Sequence, residues 1–190
     1  MRKIPYSISL KDWLSGESGV TVTEIDGHIL DFFKRDPFTL SLWVYPKTGT
    51  GYGGHVWRSL SRQDAGNTLF IMEDAGIISW RGRINGVWSW GDLCETDARL
   101  FKADTWLHVA VTNDGDKFRI YLDGKVVAET DFQETDGGNA FYFIGSRFTS
   151  GENFVGSIDD FAIFSRALSS EEINSIMTTG VRRSYKRQNQ

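Results

Sequence analysis

The most regular feature of this chain is alternation of apolar and polar positions. In Phe38-Thr-Leu-Ser-Leu-Trp-Val-Tyr45, Phe38, Leu40, Leu42 and Val44 fall on one side of an extended strand. Thr39, Ser41, Trp43 and Tyr45 fall on the other, because successive side chains of a strand point to opposite faces. Pro46 ends the run. Trp106-Leu-His-Val-Ala-Val-Thr112 sends Leu107, Val109 and Val111 one way, and Asn113-Asp114-Gly115 then supplies turn chemistry. Lys117-Phe-Arg-Ile-Tyr-Leu122 follows, joined by Asp123-Gly124 to Lys125-Val-Val-Ala128. This is the clearest hairpin in the chain, since Asp and Gly tolerate the positive φ that a two-residue turn requires. Further strands are predicted at residues 19–25, 28–33, 69–73, 77–84, 87–91, 140–144 and 154–163. Roughly a dozen short strands at this turn spacing predict an antiparallel sandwich or barrel.

One segment has the helical signature. Ser169 and Glu172 form a Ser-x-x-Glu capping box, with Leu168 placed to pack on Ile173 as a hydrophobic staple. The apolar stripe of Ile173 and Ile176 is short, so a helix ending near Met177 is expected to cover one end of the sandwich. Residues 48–54 form a glycine-rich loop. No internal repeat divides the chain.

Composition adds bounds. At 190 residues, with 40% hydrophobic and 24% charged residues, the chain suits one globular β domain spanning residues 1–190, its core at about 19–178. The basic tail, residues 181–190 with Arg182, Arg183, Lys186 and Arg187, reads as a solvated terminus. A net charge of -4 with interspersed signs predicts neither nucleic-acid binding nor membrane insertion. Cys94 is the sole cysteine, so an internal disulfide is excluded. Met1 to Leu10 is too polar for a signal or anchor, which suits a module of a larger secreted or cell-surface protein.

Several segments occur in an order that resembles the bacterial laminin G-like jelly rolls of the concanavalin A-like lectin and glucanase superfamily. Ile25-Asp26-Gly27 is similar to an early Phe-Asp-Gly element of that family. Phe38-Thr-Leu-Ser-Leu-Trp-Val-Tyr-Pro46 is similar to its Phe-Thr-Ile-Ser-x-Trp-Val-x-Pro strand, and Trp106-x-His108 and Ile120-Tyr-Leu-Asp-Gly-Lys125 follow in place. Ile144-Gly145, Phe154-Val-Gly-Ser-Ile-Asp-Asp-Phe-Ala-Ile-Phe164 and Arg166-Ala-Leu-Ser-Ser-Glu-Glu-Ile173 resemble its closing strand and terminal helix. The resemblance covers about positions 24 to 178. It implies an all-β, antiparallel jelly-roll sandwich with one short C-terminal helix. That fold carries lectins, carbohydrate-binding modules, adhesion domains and glycosidases, so function has to be argued from a site.

A catalytic reading finds little support. Retaining endoglucanases of the superfamily place nucleophile and acid/base on a Glu-x-Asp-x-x-Glu strand. Glu24-Ile25-Asp26 starts such a pattern, but Gly27, His28 and Ile29 follow, and the second glutamate is missing at either usual spacing. His28, His55 and His108 show no zinc spacing, and residues 49–54 lack the Gly-Lys-Ser/Thr ending of a phosphate loop. Cys94 reads as a quiet, semi-buried thiol. No catalytic residue is assigned, and a divergent glycosidase or polysaccharide lyase is the least favoured function.

Binding has more to work with. Five of the seven tryptophans lie between Trp43 and Trp90. Sugar rings pack their C–H faces on aromatic planes while a few polar groups orient their hydroxyls. Trp57 and Arg58, and the segment carrying Trp80, Arg81, Arg83, Trp88 and Trp90, hold both ingredients and are the candidate ligand residues. Trp57 is the preferred exposed platform. The arginines would favour an acidic or sulfated poly- or oligosaccharide. Core packing of Trp80, Trp88 and Trp90 is the competing reading, and Trp43 and Trp106, on strands that resemble the family's core strands, are read as structural. Non-catalytic carbohydrate recognition is the leading function, with a protein-interaction or adhesion domain as the alternative.

The resemblance also implies one structural calcium ion, because related sandwiches hold calcium through carboxylate and carbonyl oxygens. Asp26 and Asp159 match the early and late elements and are the candidate ligands, with Asp160 as a substitute. An ion bound to the folded state stabilises it by mass action. Excess calcium is therefore expected to raise the melting temperature above its value in EDTA; identical values discard the site.

Overall fold

The computed structural model describes residues 14–15, 20–22, 35–47, 57–63, 67–72, 75–88, 93–136, 142–145 and 154–180. The predicted strand at 28–33, the glycine-rich loop and Asp26 lie outside the described residues. In chain order the strands begin with β1 (Leu14–Ser15), β2 (Val20–Val22), β3 (Phe38–Pro46), β4 (Trp57–Gln63) and β5 (Thr68–Met72). Next come β6 (Ile77–Arg81), β7 (Arg83–Ile84), β8 (Val87–Trp88), β9 (Cys94–Glu95) and β10 (Leu107–Asn113). β11 (Lys117–Leu122), β12 (Lys125–Asp131), β13 (Tyr142–Ile144), β14 (Gly156–Phe164) and helix α1 (Ser170–Thr179) complete the order.

Two six-stranded antiparallel sheets form the expected jelly-roll sandwich. The first has the order β1-β14-β3-β10-β11-β12 and the second β2-β13-β4-β5-β6-β9, while β7 and β8 form a separate hairpin. Register follows the alternation. Leu42 pairs with Val109 and Leu40 with Val111, so the apolar sets of β3 and β10 share one face. Phe38, Leu40, Leu42 and Val44 pack there with Leu69, Ile71, Ile78 and Trp80 of the second sheet in one buried cluster. Each such side chain stabilises the fold by roughly 1.5–3 kcal/mol.

The turns behave as their residues require. Asp123 and Gly124 take φ of 48° and 76° between β11 and β12, and Asn85 and Gly86 take 52° and 77° between β7 and β8. In β14 the inward residues Ile158, Phe161 and Ile163 are not evenly spaced. A β-bulge absorbs the extra residue: the register shifts between Asp159 and Ala162, with Asp160 at φ 46°.

The strand predicted over 77–84 breaks at Gly82. A side chain there would collide with the Asn67 carboxamide and come within 2.9 Å of Leu93 Cδ1. That crowding reflects the segment crossing beside it, where Asn67 Nδ2 donates to Thr135 Oγ1 at 3.1 Å. Strands β1, β4 and β9 were not anticipated; β4 reads Trp-Arg-Ser-Leu-Ser-Arg-Gln and has no apolar alternation, yet it lies between β13 and β5.

The helix forms where expected but lies elsewhere. Ser169 Oγ accepts from the Glu172 amide at 3.3 Å and Glu172 Oε2 accepts from the Ser169 amide at 3.0 Å, closing the capping box. Arg166 holds the same carboxylate through two bonds of 2.6 and 2.7 Å. The helix continues past Met177 to Thr179, and Gly180 caps it with φ 76°. It covers part of the outer face of the first sheet and not one end of the sandwich: Leu168, Ile173 and Ile176 pack on Ala110, Tyr121, Ala162 and Phe164. The small side chains of Ala110 and Ala162 leave room for a helix to approach that face. In urea denaturation, Ser169→Ala is expected to cost about 1 kcal/mol. Ile173→Ala should cost roughly 2–5 kcal/mol, whereas Val126→Ala, at an exposed position, should stay within about 0.5 kcal/mol.

Candidate ligand surfaces

Trp80 does not offer a ligand face. It is 1% exposed, on the inward side of β6 with Ile78, and its ring centroid lies 5.4 Å from that of Phe38 at 45°. Alternation carries Arg81 to the opposite face, but it too is buried, at 6% exposure. Its Nε donates to Ser79 Oγ at 3.0 Å, its Nη2 to Glu95 Oε2 at 3.3 Å, and its guanidinium sits 5.7 Å from the Phe70 ring centroid. Arg83 Nη2 donates to the Gly86 carbonyl at 2.9 Å and so braces its own hairpin. The Asp136 carboxylate accepts from the amides of Asn85 and Gly86 at 2.9 and 2.7 Å and fixes the same turn from outside. Both arginines thus serve the fold.

The backbone of Trp57 and Arg58 opens β4, opposite Met72 and Ile71, and Trp88 pairs with Arg83. The side chains of these three, and Trp90 altogether, lie outside the described residues. The Asn85-Gly86 turn brings β7 and β8 together, but the break at Gly82 puts that hairpin outside the sheet that holds Trp80. Asp159 is half-buried on β14, where it pairs with Trp43, and its Oδ1 accepts from the Asp160 amide at 2.7 Å. Its proposed calcium partner, Asp26, is outside the described residues, among which no group of three His, Cys, Asp or Glu side chains is placed to hold a metal. Cys94 is buried, and burial pushes its thiol pKa up, which keeps it protonated and unreactive.

A different aromatic group stands on the outer face of the first sheet. Trp43 and Tyr45 project from β3 opposite to Leu42 and Val44 and are half-buried. Trp106, read from sequence as structural, is 37% exposed. Its ring centroid lies 5.7 Å from that of Tyr45, and the Trp43 indole meets the His108 ring edge-on at 5.3 Å. The Asp104 amide donates to the Pro46 carbonyl at 2.7 Å, which fastens the approach to β10 beside the end of β3. Alternation had already set Trp43 and Tyr45 apart from the core set of β3. What was missing was whether anything covered them.

His108 supports this group from beneath. It is 2% exposed, its Nε2 lies 2.9 Å from Ser41 Oγ, and Nδ1 has no partner. Its amide donates to Asp123 Oδ1 at 2.9 Å, and its carbonyl accepts from the Asp123 amide at 2.9 Å. Burial lowers its pKa to about 4, so the ring is neutral at physiological pH.

The sequence signature of the concanavalin A-like lectin/glucanases superfamily matches residues 14–174. The chain belongs to this family, in its laminin G-like branch. No match was found among curated protein sequences. Among solved structures the chain is similar to the ligand-binding domain of botulinum neurotoxin serotype D in complex with N-acetylneuraminic acid, at TM-score 0.63 and 18% identity, covering 92% of this chain and 42% of that one. It is also similar to the receptor-binding domain of botulinum neurotoxin D, at TM-score 0.62 and 18% identity, covering 92% and 47%. The binding domain of Paraclostridial Mosquitocidal Protein 1 matches at TM-score 0.61 and 16% identity, covering 90% and 45%. The chain therefore spans less than half of each of these proteins. At such identities the likeness is one of fold.

The buried imidazole has a consequence for acid stability. Its folded pKa, about 4, lies below the ordinary histidine value of 6.5, so between these limits the unfolded chain binds a proton that the folded chain does not. Stability is then lost as pH falls below 6.5 and this loss levels off near 4, amounting to about 3 kcal/mol. His108→Gln should flatten the pH dependence of the unfolding free energy in that window; an unchanged slope would place its origin in other groups.

Proposed function

We propose that this chain is a non-catalytic carbohydrate-recognition module of an extracellular protein. The observation that carries the reading is the group of outer-face aromatics, Trp43, Tyr45 and Trp106, on a lectin-type sandwich. Large rings cost free energy when they stay in contact with water, and an aromatic plane with polar neighbours matches the C–H face of a pyranose; the Tyr45 and Trp106 planes are inclined at 57° and offer separate faces. Further support comes from a relative in fold solved with a sugar, N-acetylneuraminic acid. The missing second glutamate after Glu24-Ile25-Asp26 favours holding a glycan over cleaving it. Among the described residues no helix is long and apolar enough to cross a membrane. A calcium ion on Asp26 and Asp159 is a separate proposal, an alternative use of the Asp159 carboxylate, and is tested by the melting experiment with EDTA.

Protein docking is the second reading, since the neurotoxin relatives are receptor-binding domains and exposed aromatics also anchor protein interfaces. Intrinsic tryptophan fluorescence titrated with neutral, acidic and sulfated polysaccharides, followed by an assay of the same mixtures for new chain ends, separates the possibilities. Saturable quenching without new ends is expected. New reducing or unsaturated ends would make the chain an enzyme, and silence across the panel would favour a protein partner.

A further inference from the structure

The outer face of the first sheet is divided into two halves. On one, small residues such as Ala110 and Ala162 lie under α1, and Thr39 Oγ1 both donates to the Arg166 carbonyl at 2.9 Å and accepts from the Leu168 amide at 2.8 Å, tying the helix lead-in down. On the other half stand the large rings of Trp43 and Tyr45, half-buried, and of Trp106, 37% exposed, none of which belongs to the cluster under the helix. The exposed half is also pre-organised. His108 fixes the Trp43 indole edge-on, the Asp104–Pro46 bond fixes the approach to Trp106, and Trp43 and Tyr45 stand two residues apart on one strand, about 7 Å.

Charge narrows the occupant. Across β3, β10 and β14, the ionised side chain on this half of the face is Asp159, which sits beside Trp43 with no cationic partner among the described residues. Three described arginines are engaged elsewhere: Arg81 with Glu95, Arg119 with Asp114 and Glu129, and Arg166 with Glu172. A carboxylate beside aromatic planes accepts hydrogen bonds from sugar hydroxyls and repels carboxylated or sulfated sugars.

Resting on the carbohydrate reading above, we propose that the strip of Trp43, Tyr45 and Trp106, with Asp159 at its side, binds an uncharged glycan chain, its rings stacked on the aromatics and its hydroxyls donating to the Asp159 carboxylate. This site differs in place and in ligand charge from the Trp57 and Arg58 segment, whose arginines point to an acidic ligand.

The test titrates the intact protein with cellohexaose, laminarihexaose and mannohexaose, and with a hyaluronan hexasaccharide as the acidic comparison, following the indole N–H resonances and fluorescence. At least one neutral hexasaccharide should bind and perturb the Trp43 and Trp106 signals, with the acidic one weaker by about tenfold or more. Trp106→Ala should weaken the neutral ligand about tenfold while remaining folded at the titration temperature, and Asp159→Asn should narrow the gap between neutral and acidic ligands. Trp57→Ala should leave the neutral affinity unchanged. Loss of binding in Trp57→Ala with none in Trp106→Ala overturns this site while leaving carbohydrate recognition standing, as does preference for the hyaluronan oligosaccharide. If none of the four binds, both readings fail.

Discussion

The dry layer between the two sheets is the constraint on which everything else depends. With a lone cysteine, the described core rests on packing: Phe38, Leu40, Leu42 and Val44 of β3 sealed against Leu69, Ile71, Ile78 and Trp80. Because side chains alternate, committing one face of β3 to that layer commits Thr39, Ser41, Trp43 and Tyr45 to the opposite face. The β14 bulge serves the same constraint. If Asp160 were kept in regular alternation instead of being absorbed in the bulge, Phe161 and Ile163 would turn outward and Ala162 would enter the core.

The outer face then has to be finished by other means, and the chain does so unevenly. Helix α1 supplies two isoleucines over alanines, and its start is held by a capping box and the Arg166–Glu172 pair. On the far half, aromatics meet solvent above a buried neutral histidine. A polar ring with an unpaired nitrogen under an indole is an expensive way to fill space. Its presence there is consistent with a surface shaped for contact.

Surface charge has a local structural role across the described first sheet. Lys117, Arg119, Asp114 and Glu129 form a cross-strand ladder on β11 and β12, with Lys117 Nζ 2.7 Å from Glu129 Oε1 and Arg119 Nε 2.6 Å from Glu129 Oε2. These partly exposed pairs add little stability individually, but they draw Arg119 away from any ligand. Arg81 and Arg83 are likewise engaged in the fold. Counting arginines near tryptophans therefore overstated the cationic character of the surface.

The sequence by itself determined what depends on local chemistry. Alternation specified the inner faces of β3 and β10, the Asp123-Gly124 pair specified its turn, and Ser169 with Glu172 specified the start of the helix. Strand β4 was illegible because its residues carry no period, and its place in the sheet comes from pairing to β13 and β5. Only tertiary structure decided which aromatics are inside. Trp80 and Trp106 are the same residue type, both in or beside alternating runs, yet one lies against Phe38 and the other meets solvent beside Tyr45. The physical reason is that periodicity assigns a side chain to a face of its strand, whereas burial depends on what other sheet, helix or loop is laid over that face, and those partners come from distant parts of the chain.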